Sequence, residues 1–415
     1  MKVLVLSQYF WPEPLRITEV VQSLREIGCD VSVLTGQPNY PEGVVPGGYS
    51  AASLRTQMRD GLAIHRVPLM PRGRRSSALR LMLNYLSFIV SALVFGPWLL
   101  RGQRFDVIFV YAPSPILQVI PAMWLAKVKG AKLVTWVQDL WPESLRATGF
   151  VRNPKILKAV EMVVRWIYRS NDLLLVQSRA FIDPVVEIAG KTPVAYQPNP
   201  GELAFSTALG DCASTLTLEP VFNVVFAGNL GTVQALDTVL AAAHLLRNEL
   251  DVRFVLVGSG SRSGWLEQET RQRGLTNVSM PGRFPSSAMP GILAQASVLL
   301  VSLVRDPIMG HTVPSKVQAY LAAGKPIIAC LDGEGARVVV EAGAGLACPA
   351  EDAQALADAV LQLRGALPEE RLKMGQSGLL FYERHFEPKL LSRRLAATLL
   401  AVVSGDGVDT DIRNR

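Results

Sequence analysis

The sequence predicts an α/β protein of two doubly wound parallel-sheet domains, and three observations carry that reading. The chain has 415 residues, about twice what a single ordinary core organises. Short apolar runs alternate with helical patterns through both halves, the sequence signature of a parallel sheet wrapped by helices. Residues 192–220, between the halves, are rich in Pro, Gly, Ser and Thr and read as a linker.

The strand candidates fall at 3–7, 31–35, 107–111, 132–136 and 173–177, then at 222–227, 253–257, 298–302 and 326–330. They divide the chain into a Rossmann-like domain over 1–195 and a second over 196–386, followed by a helix over 387–403. The tail 404–415 lacks apolar periodicity and is expected to be disordered. The amino terminus runs from Met1 straight into the strand-like Val3-Leu4-Val5-Leu6, with no secretory pattern. Cys29, Cys212, Cys330 and Cys348 are scattered and read as reduced cytosolic thiols, neither a zinc site nor a disulfide framework.

Hydrophobic residues make up 49% of the chain and charged ones 19%, an apolar balance that raises the question of a membrane contact. The net charge of +7 is unevenly placed: residues 1–200 hold 23 Lys and Arg against 13 Asp and Glu, and the remainder 19 against 22. A basic, apolar first half suits anionic headgroups or a phosphate-bearing acceptor. Nucleic acid is the competing partner, but the basic residues are not interleaved with stacking aromatics in a recognisable module.

Leu81–Leu100 is a stretch of 20 residues without charge, flanked by Arg72, Arg74, Arg75 and Arg80 on one side and Arg101 and Arg104 on the other. It has the length of a membrane span, yet Asn84, Ser87, Ser91, Gly96 and Pro97 interrupt it and strands of one sheet lie on both sides. A surface-lying interfacial helix, a core helix and a span are the three readings, the first fitting best. A second segment, 154–169, sets Lys155, Lys158, Arg165 and Arg169 among Ile156, Leu157, Val160, Val164 and Trp166. It suits anionic headgroups or a helix with one core face and one wet face.

Ligands of doubly wound sheets collect beyond the carboxyl ends of the strands, so the loops there are the candidate sites. The loop Ser7 to Arg16 lacks the glycine spacing of a dinucleotide fingerprint, which argues against a dehydrogenase; its Arg16 could clamp an acceptor phosphate. Residues 136–144 bring together Gln138, Asp139, Trp141 and Glu143. Tryptophan stacks on sugars and a carboxylate orients or deprotonates a hydroxyl, so Asp139 is the candidate for handling the acceptor. Glu143 equally suits the first turn of a helix.

In the second half, Gly228, Asn229 and Gly231 form a strand-to-helix turn whose amides could approach a diphosphate. Val257-Gly258-Ser259-Gly260 imitates a Rossmann opening but reads as a tight turn. The loop Arg305 to Lys316, containing Gly310, His311, Thr312 and Ser315, leads into a helix with Pro314 at its first position and Thr312 or Val313 capping it. Lys316, Arg305 and the helix dipole suit an anionic ligand such as a nucleotide diphosphate. Gly333, Glu334 and Gly335 follow a later strand, and Glu334 could accept hydrogen bonds from a ribose or sugar hydroxyl.

These loops, in this order, resemble the glycosyltransferases of family 4, and within them the O-antigen and capsule subgroup typified by the WbuB-type N-acetyl-L-fucosamine transferases. The resemblance rests on Gln8 to Glu13, Pro38 to Gly43, Gln138 to Ser144, Gly228 to Gly231, Pro314-Ser315-Lys316 and Asp332 to Ala336, and covers about 1–390. It implies a GT-B fold, two Rossmann-like domains facing a central cleft, and transfer with retention. It also implies no required cofactor or metal, a UDP-sugar on the C-terminal domain, and a polyprenyl-diphosphate-linked acceptor on the N-terminal one. The last helix is expected to cross back to the first domain, and the protein to be cytoplasmic, peripheral on the inner face of the membrane.

Two pairs of positions depart from the family pattern. Where two glutamates are common, His311 and Ala319 stand; where Arg and Lys commonly meet the diphosphate, Asn229 and Gln234 stand. Lys316 and backbone amides are therefore expected to neutralise the diphosphate, with Glu334 replacing the ribose contact. Lys316 would stabilise the leaving group's charge, Asp139 would orient the incoming hydroxyl, and domain closure would exclude water. The alternatives are a sugar-nucleotide 2-epimerase of the same fold and a non-catalytic nucleotide-sugar-binding assembly subunit.

Overall fold

The structure is a computed structural model that describes residues 1–74, 77–147, 153–201 and 216–407. Arg75, residues 202–215 of the 192–220 linker with Cys212 among them, and the tail beyond Gly407 lie outside the described residues. The chain forms two compact units, Met1–Asn199 with Lys389–Arg415, and Pro200–Pro388.

Unit 1 is built on strands β1 (Lys2–Leu6), β2 (Asp30–Gly36), β3 (Arg55–Arg59), β4 (Leu62–Val67), β5 (Val107–Ala112), β6 (Lys132–Val137), β7 (Leu173–Val176) and β8 (Val194–Tyr196). Their order is β3-β4-β2-β1-β5-β6-β7-β8, parallel throughout except for β3, which runs against β4. β5, Val-Ile-Phe-Val-Tyr-Ala, is buried at every position, as a strand covered on both faces requires. β3, Arg-Thr-Gln-Met-Arg, alternates at the sheet edge, and charged edge strands discourage pairing with other chains. Helices α1 (Ile17–Glu26), α2 (Ala78–Leu99), α3 (Val119–Lys129), α4 (Glu143–Ala147), α5 (Pro154–Arg169) and α6 (Ile182–Ala189) connect the strands. Asn153 caps α5 through a hydrogen bond from the Lys155 amide, with Pro154 opening the helix, where its missing N–H costs nothing.

α2 packs one face against unit 1 and leaves the other exposed. Its inner face, Asn84, Phe88, Ala92 and Gly96, is buried, and the absent side chain of Gly96 lets the helix settle against Leu34 and Leu125. The Asn84 side chain donates to the Met70 carbonyl at 2.7 Å and accepts from Gln8 and Tyr9 at 2.8 and 2.9 Å. A helix tied to the sheet in this way does not cross a bilayer, which overturns the span. Its outer face is exposed, which overturns the core helix.

Unit 2 carries β9 (Phe222–Asn229), β10 (Val252–Ser259), β11 (Val278–Gly282), β12 (Val298–Ser302), β13 (Ile327–Cys330) and β14 (Gly345–Cys348). They are parallel in the order β11-β10-β9-β12-β13-β14. Its helices are α7 (Leu236–Leu245), α8 (Ser263–Gln272), α9 (Met289–Ala294), α10 (Pro307–Gly310), α11 (Ser315–Ala322), α12 (Glu334–Glu341), α13 (Ala353–Gly365) and α14 (Pro368–His385). Two apolar clusters sandwich this sheet, one built around Phe226, Phe254 and Leu300, the other around Val225, Tyr320 and Leu321. Cys330 and Cys348 are register partners on β13 and β14 and both are unbridged.

The last helix, α15 (Pro388–Ser404), belongs to unit 1. Its Leu395, Leu399 and Val402 join the cluster of Val3, Val5, Phe109 and Trp136, and the Leu391 carbonyl accepts from the Gln197 amide group at 3.3 Å.

Candidate functional site

In each sheet the strand order reverses at one point, between β9 and β12 in unit 2 and between β1 and β5 in unit 1, and crevices form at such switch points. The predicted site residues lie in loops after strands of these two sheets, and each unit is described on its own.

In unit 2, β9 and β10 end side by side, with Gly228 paired to Gly258 and Asn229 to Ser259. Gly228 has φ +139° and Gly258 φ +140°, and a Cβ on Gly258 would collide with the Gly228 carbonyl. The segment expected to be only a tight turn is thus the end of β10, with its glycine demanded by backbone contact. Gly231 lies against the Asn229 side chain, where a Cβ would stand 2.7 Å from Nδ2. Gly228 serves a different purpose: a Cβ there would be 2.7 Å from Lys316 Cε, so the lysine chain lies across the bare backbone.

Lys316 stands in the first turn of α11. Its Nζ donates to Gln234 Oε1 at 2.5 Å and sits 4.6 Å from the centre of the Phe226 ring. Burial pushes its pKa down to about 8. Among the described residues no carboxylate pairs with it, so a desolvated amine is held by a neutral amide and an aromatic face. Such a group gains strongly from an anion brought alongside. Gln234, one of the four positions that depart from the family pattern, is what orients this amine.

The loop before α11 differs from its expected form. Pro314 is the N-cap and Ser315 the first helical residue; Thr312 hydrogen-bonds back to the Met309 carbonyl at 3.1 Å and does not cap α11. Asp306 instead caps the short α10, accepting from the Ile308 and Met309 amides at 2.8 and 3.1 Å. Arg305 is largely exposed; it pairs with Asp332 at 3.3 Å and donates to the Ala350 carbonyl at 2.8 Å. His311 Nδ1 is buried and has no partner among the described residues.

Small residues bring α12 up to this loop. A Cβ on Gly333, at φ +80°, would collide with Gly310, and one on Gly335 would stand 2.9 Å from Pro314 Cδ. Gly310, Ser315, Gly333 and Gly335 therefore share one small region at the mouths of α11 and α12. Glu334 lies within it but is only 5% exposed, and both carboxylate oxygens accept from Arg337, at 2.8 and 2.7 Å. An open carboxylate for a ribose was expected; the structure has a bidentate ion pair instead.

In unit 1 the switch point is sealed by Gln118, whose carbonyl oxygen accepts from the Gln8 amide at 2.9 Å. Asp139, after β6, has its pKa raised by burial against hydrogen bonds from Ser144, Ser114, Trp141 and the Leu140 amide. Trp141 is buried, its indole N–H donating to Ser114 Oγ at 3.0 Å, so its ring is a wall of the loop more than an open stacking platform. Gln138 accepts from Asn199 at 2.8 Å, while its own Nε2 is buried without a partner among the described residues. Glu143 opens α4. Arg16 is the N-cap residue of α1, close enough to Tyr111 to pull that buried phenol's pKa down against desolvation.

Sequence reasoning passed over several groups beside Asp139. Tyr85 feels the Asp139 charge and accepts from Arg72 at 3.4 Å, and Arg72 lies over the rings of Tyr9 and Tyr40, at 5.7 and 5.4 Å. Glu13 is buried and accepts three backbone amides, from Phe10, Asn39 and Tyr40, at 2.9, 2.7 and 2.7 Å. Burial pushes its pKa up to about 7. Glu13, Tyr9 and Tyr40 lay inside the quoted motifs, and only their spatial convergence with Arg72 and Tyr85 was hidden.

Comparison with known proteins shows the family and the fold. Residues 221–365 match the family model described as glycosyl transferases group 1, and residues 15–200 the glycosyl transferase 4-like domain. WcaI of Escherichia coli K12, a glycosyl transferase named for colanic acid biosynthesis, is 30% identical over 348 residues, 78% of this chain and 82% of that protein. WbjE of Pseudomonas aeruginosa, named as a glycosyltransferase, is 28% identical over 337 residues, 75% and 81% of the two chains. Sucrose-phosphate synthase of Thermosynechococcus elongatus superposes with a TM-score of 0.70 at 15% identity, covering 98% of this chain and 100% of that one. Anabaena HepE, solved in complex with UDP, gives 0.67 at 13% identity over 97% and 100%. At such identities the likeness to solved structures is one of fold, and the fold is GT-B.

Proposed function

Since this chain belongs to the group 1, family 4-like glycosyltransferases of polysaccharide biosynthesis, we propose that it transfers an N-acetylated deoxysugar, of the N-acetyl-L-fucosamine kind, from a UDP-sugar to a polyprenyl-diphosphate-linked saccharide, with retention. The observation that carries the reading is Lys316 lying across Gly228 at the mouth of α11. A glycine floor, an under-solvated amine and a helix N-terminus together suit a diphosphate, and the departing UDP needs its growing negative charge stabilised there. That stabilisation comes from Lys316 and the α11 amides in this reading, so the reaction requires no metal or other cofactor.

On unit 1, Asp139 accepts a hydrogen bond from the acceptor hydroxyl and orients it, and the departing phosphate takes the proton. Its raised pKa suits the role, since a more basic carboxylate is a better acceptor of a hydroxyl proton. Arg72 and Arg16 supply charge for the acceptor's diphosphate, and Tyr9 and Tyr40 supply rings for its sugar. Glu334 acts through Arg337, fixing the opening of α12 beside the nucleoside. UDP-N-acetylglucosamine, UDP-N-acetylgalactosamine and UDP-N-acetyl-L-fucosamine, each with and without a short polyprenyl-diphosphate-linked sugar, test the proposal. Acceptor-dependent release of UDP from one donor is the expected outcome. Release without acceptor would replace transfer by hydrolysis or epimerisation, and binding without release would make the chain a non-catalytic subunit.

A further inference from the structure

Three helices of unit 1 turn apolar residues to solvent. Along α2 the positions Met82, Leu86, Val90, Val94 and Trp98 recur every four residues on the face opposite the buried one, and Val90, Val94 and Trp98 are 57%, 61% and 64% exposed. A helix of a soluble protein carries polar residues there, and this stripe has none. α3 adds Trp124 and Val128, and α5 adds Met162 and Trp166, all about half exposed. The helices adjoin: a groove of about 570 Å³ is lined by Leu93 of α2, Ile120, Met123 and Trp124 of α3, and Trp166 of α5. One continuous surface thus bears three tryptophans, the residue that favours the boundary between headgroups and acyl chains.

Charge indicates the occupant. Neither α2 nor α3 contains an acidic residue, the single one in α5, Glu161, is paired with Arg165, and Asp172, which also lines the groove, is paired with Lys132. Arg80 and Arg101 stand at the two ends of α2, Lys127 beside Trp124, and Lys155 and Lys158 on the outer side of α5, all exposed. A second copy of a cationic apolar face would be repelled; an anionic bilayer supplies acyl chains for the stripe and phosphates for its rim. Because the buried side of α2 is fixed to the sheet, the helix can only lie in the plane of the surface.

We propose that the α2–α3–α5 face of unit 1 is a docking surface for anionic lipid bilayers, with α2 lying flat at the headgroup boundary and Val90, Val94, Trp98, Trp124 and Trp166 inserted. The biological sense rests on the lipid-linked acceptor proposed above, while the surface itself is read from exposure and charge alone. Arg72, over the rings of Tyr9 and Tyr40, lies a few residues before α2 on the chain.

The test is co-sedimentation of the full chain with vesicles of phosphatidylglycerol and phosphatidylethanolamine in equal parts, and with phosphatidylcholine vesicles as the uncharged reference. Wild type is expected to bind the anionic vesicles, and Val90→Asp/Val94→Asp to bind at least about tenfold more weakly, since charge on a lipid-facing helix is strongly disfavoured. Leu250→Asp, an exposed apolar site on unit 2 that is 92% exposed, is expected to bind like wild type. Equal binding by the stripe variant would overturn the proposal. So would a wild-type dimer that the variant dissociates without any vesicle binding, which would assign the face to a second copy. Circular dichroism confirms that the variant is folded. Vesicle binding needs no donor: an inactive protein that still binds vesicles refutes only the enzymatic reading, and an active one that ignores them refutes only the docking surface.

Discussion

Lys316→Met is expected to stabilise the protein while removing its affinity for a nucleotide diphosphate. Methionine keeps an unbranched chain across Gly228 but carries no charge to desolvate. The fall of the Lys316 pKa from an ordinary 10.5 to about 8 corresponds to a burial cost of about 3 kcal/mol, at about 1.4 kcal/mol per tenfold change in proton affinity. Losing the hydrogen bond to Gln234 offsets about 1 kcal/mol and leaves an amide oxygen short of a partner. A net gain of about 1–2 kcal/mol remains, a rise in Tm of about 3–6 °C for a unit of this size. Because the folded-state pKa lies below the unfolded one, the cost is present in full below about 8 and is relieved as pH rises from there toward 10.5. The advantage of the variant should shrink over the same range. UDP affinity, by contrast, should fall about 10- to 100-fold with one charge-assisted contact gone. Thermal unfolding across pH together with calorimetric titration of UDP tests both halves. A variant with lower Tm and unchanged UDP affinity would refute the reasoning that Lys316 is a strained amine kept for an anion.

Three further outcomes follow from the same geometry. Asp139→Asn keeps the shape of a loop held by Ser114, Ser144 and Trp141 but weakens the acceptor contact: kcat should drop about 100-fold with donor KM unchanged, and full turnover would remove Asp139 from the reaction. Gly228→Ala forces a side chain into φ +139° and against Lys316; donor KM should rise about tenfold and stability fall by about 1–3 kcal/mol, measured by steady-state kinetics and urea unfolding. Glu13 is protonated more readily when folded, its pKa raised by burial to about 7 from 4.5, so its contribution to stability is full below 4.5 and is lost as pH rises through 7. The stability difference between wild type and Glu13→Gln should decline across that interval, and a flat difference in urea midpoints would show that the carboxyl is not buried as described.

The central strands were legible because two-sided burial leaves an unbroken apolar run, as in Val107–Ala112. Strands at or next to the sheet edges were not: β3 alternates Arg-Thr-Gln-Met-Arg with no apolar run, β4 carries the buried His65 and Arg66, and β8 is three residues inside a segment rich in turn formers. Arg66 is stable at zero exposure because the Gly36 and Trp11 carbonyls accept its guanidinium, and partners so distant in sequence leave no local trace. The glycines and Lys316 of the unit 2 loops could be singled out from the sequence because their conformational and charge demands are local. Arg305 and Glu334 could not be judged from the sequence, since what decides their availability is a partner, Asp332 in one case and Arg337 in the other. Burial likewise separates Trp141, held by Ser114, from Trp98 and Trp124, which face solvent.

The return of α15 to unit 1 bears on how the chain comes to be folded during synthesis. The strands of this sheet leave the ribosome before unit 2 does, yet the apolar surface formed by Val3, Val5, Phe109 and Leu175 is completed by Leu395, Leu399 and Val402, which emerge nearly four hundred residues after Val3. Until then the nascent first unit carries a bare apolar patch while all of unit 2 is translated. A fragment ending at Asn199 keeps that patch permanently, and the first half of this protein is therefore a domain by shape but not by self-sufficiency.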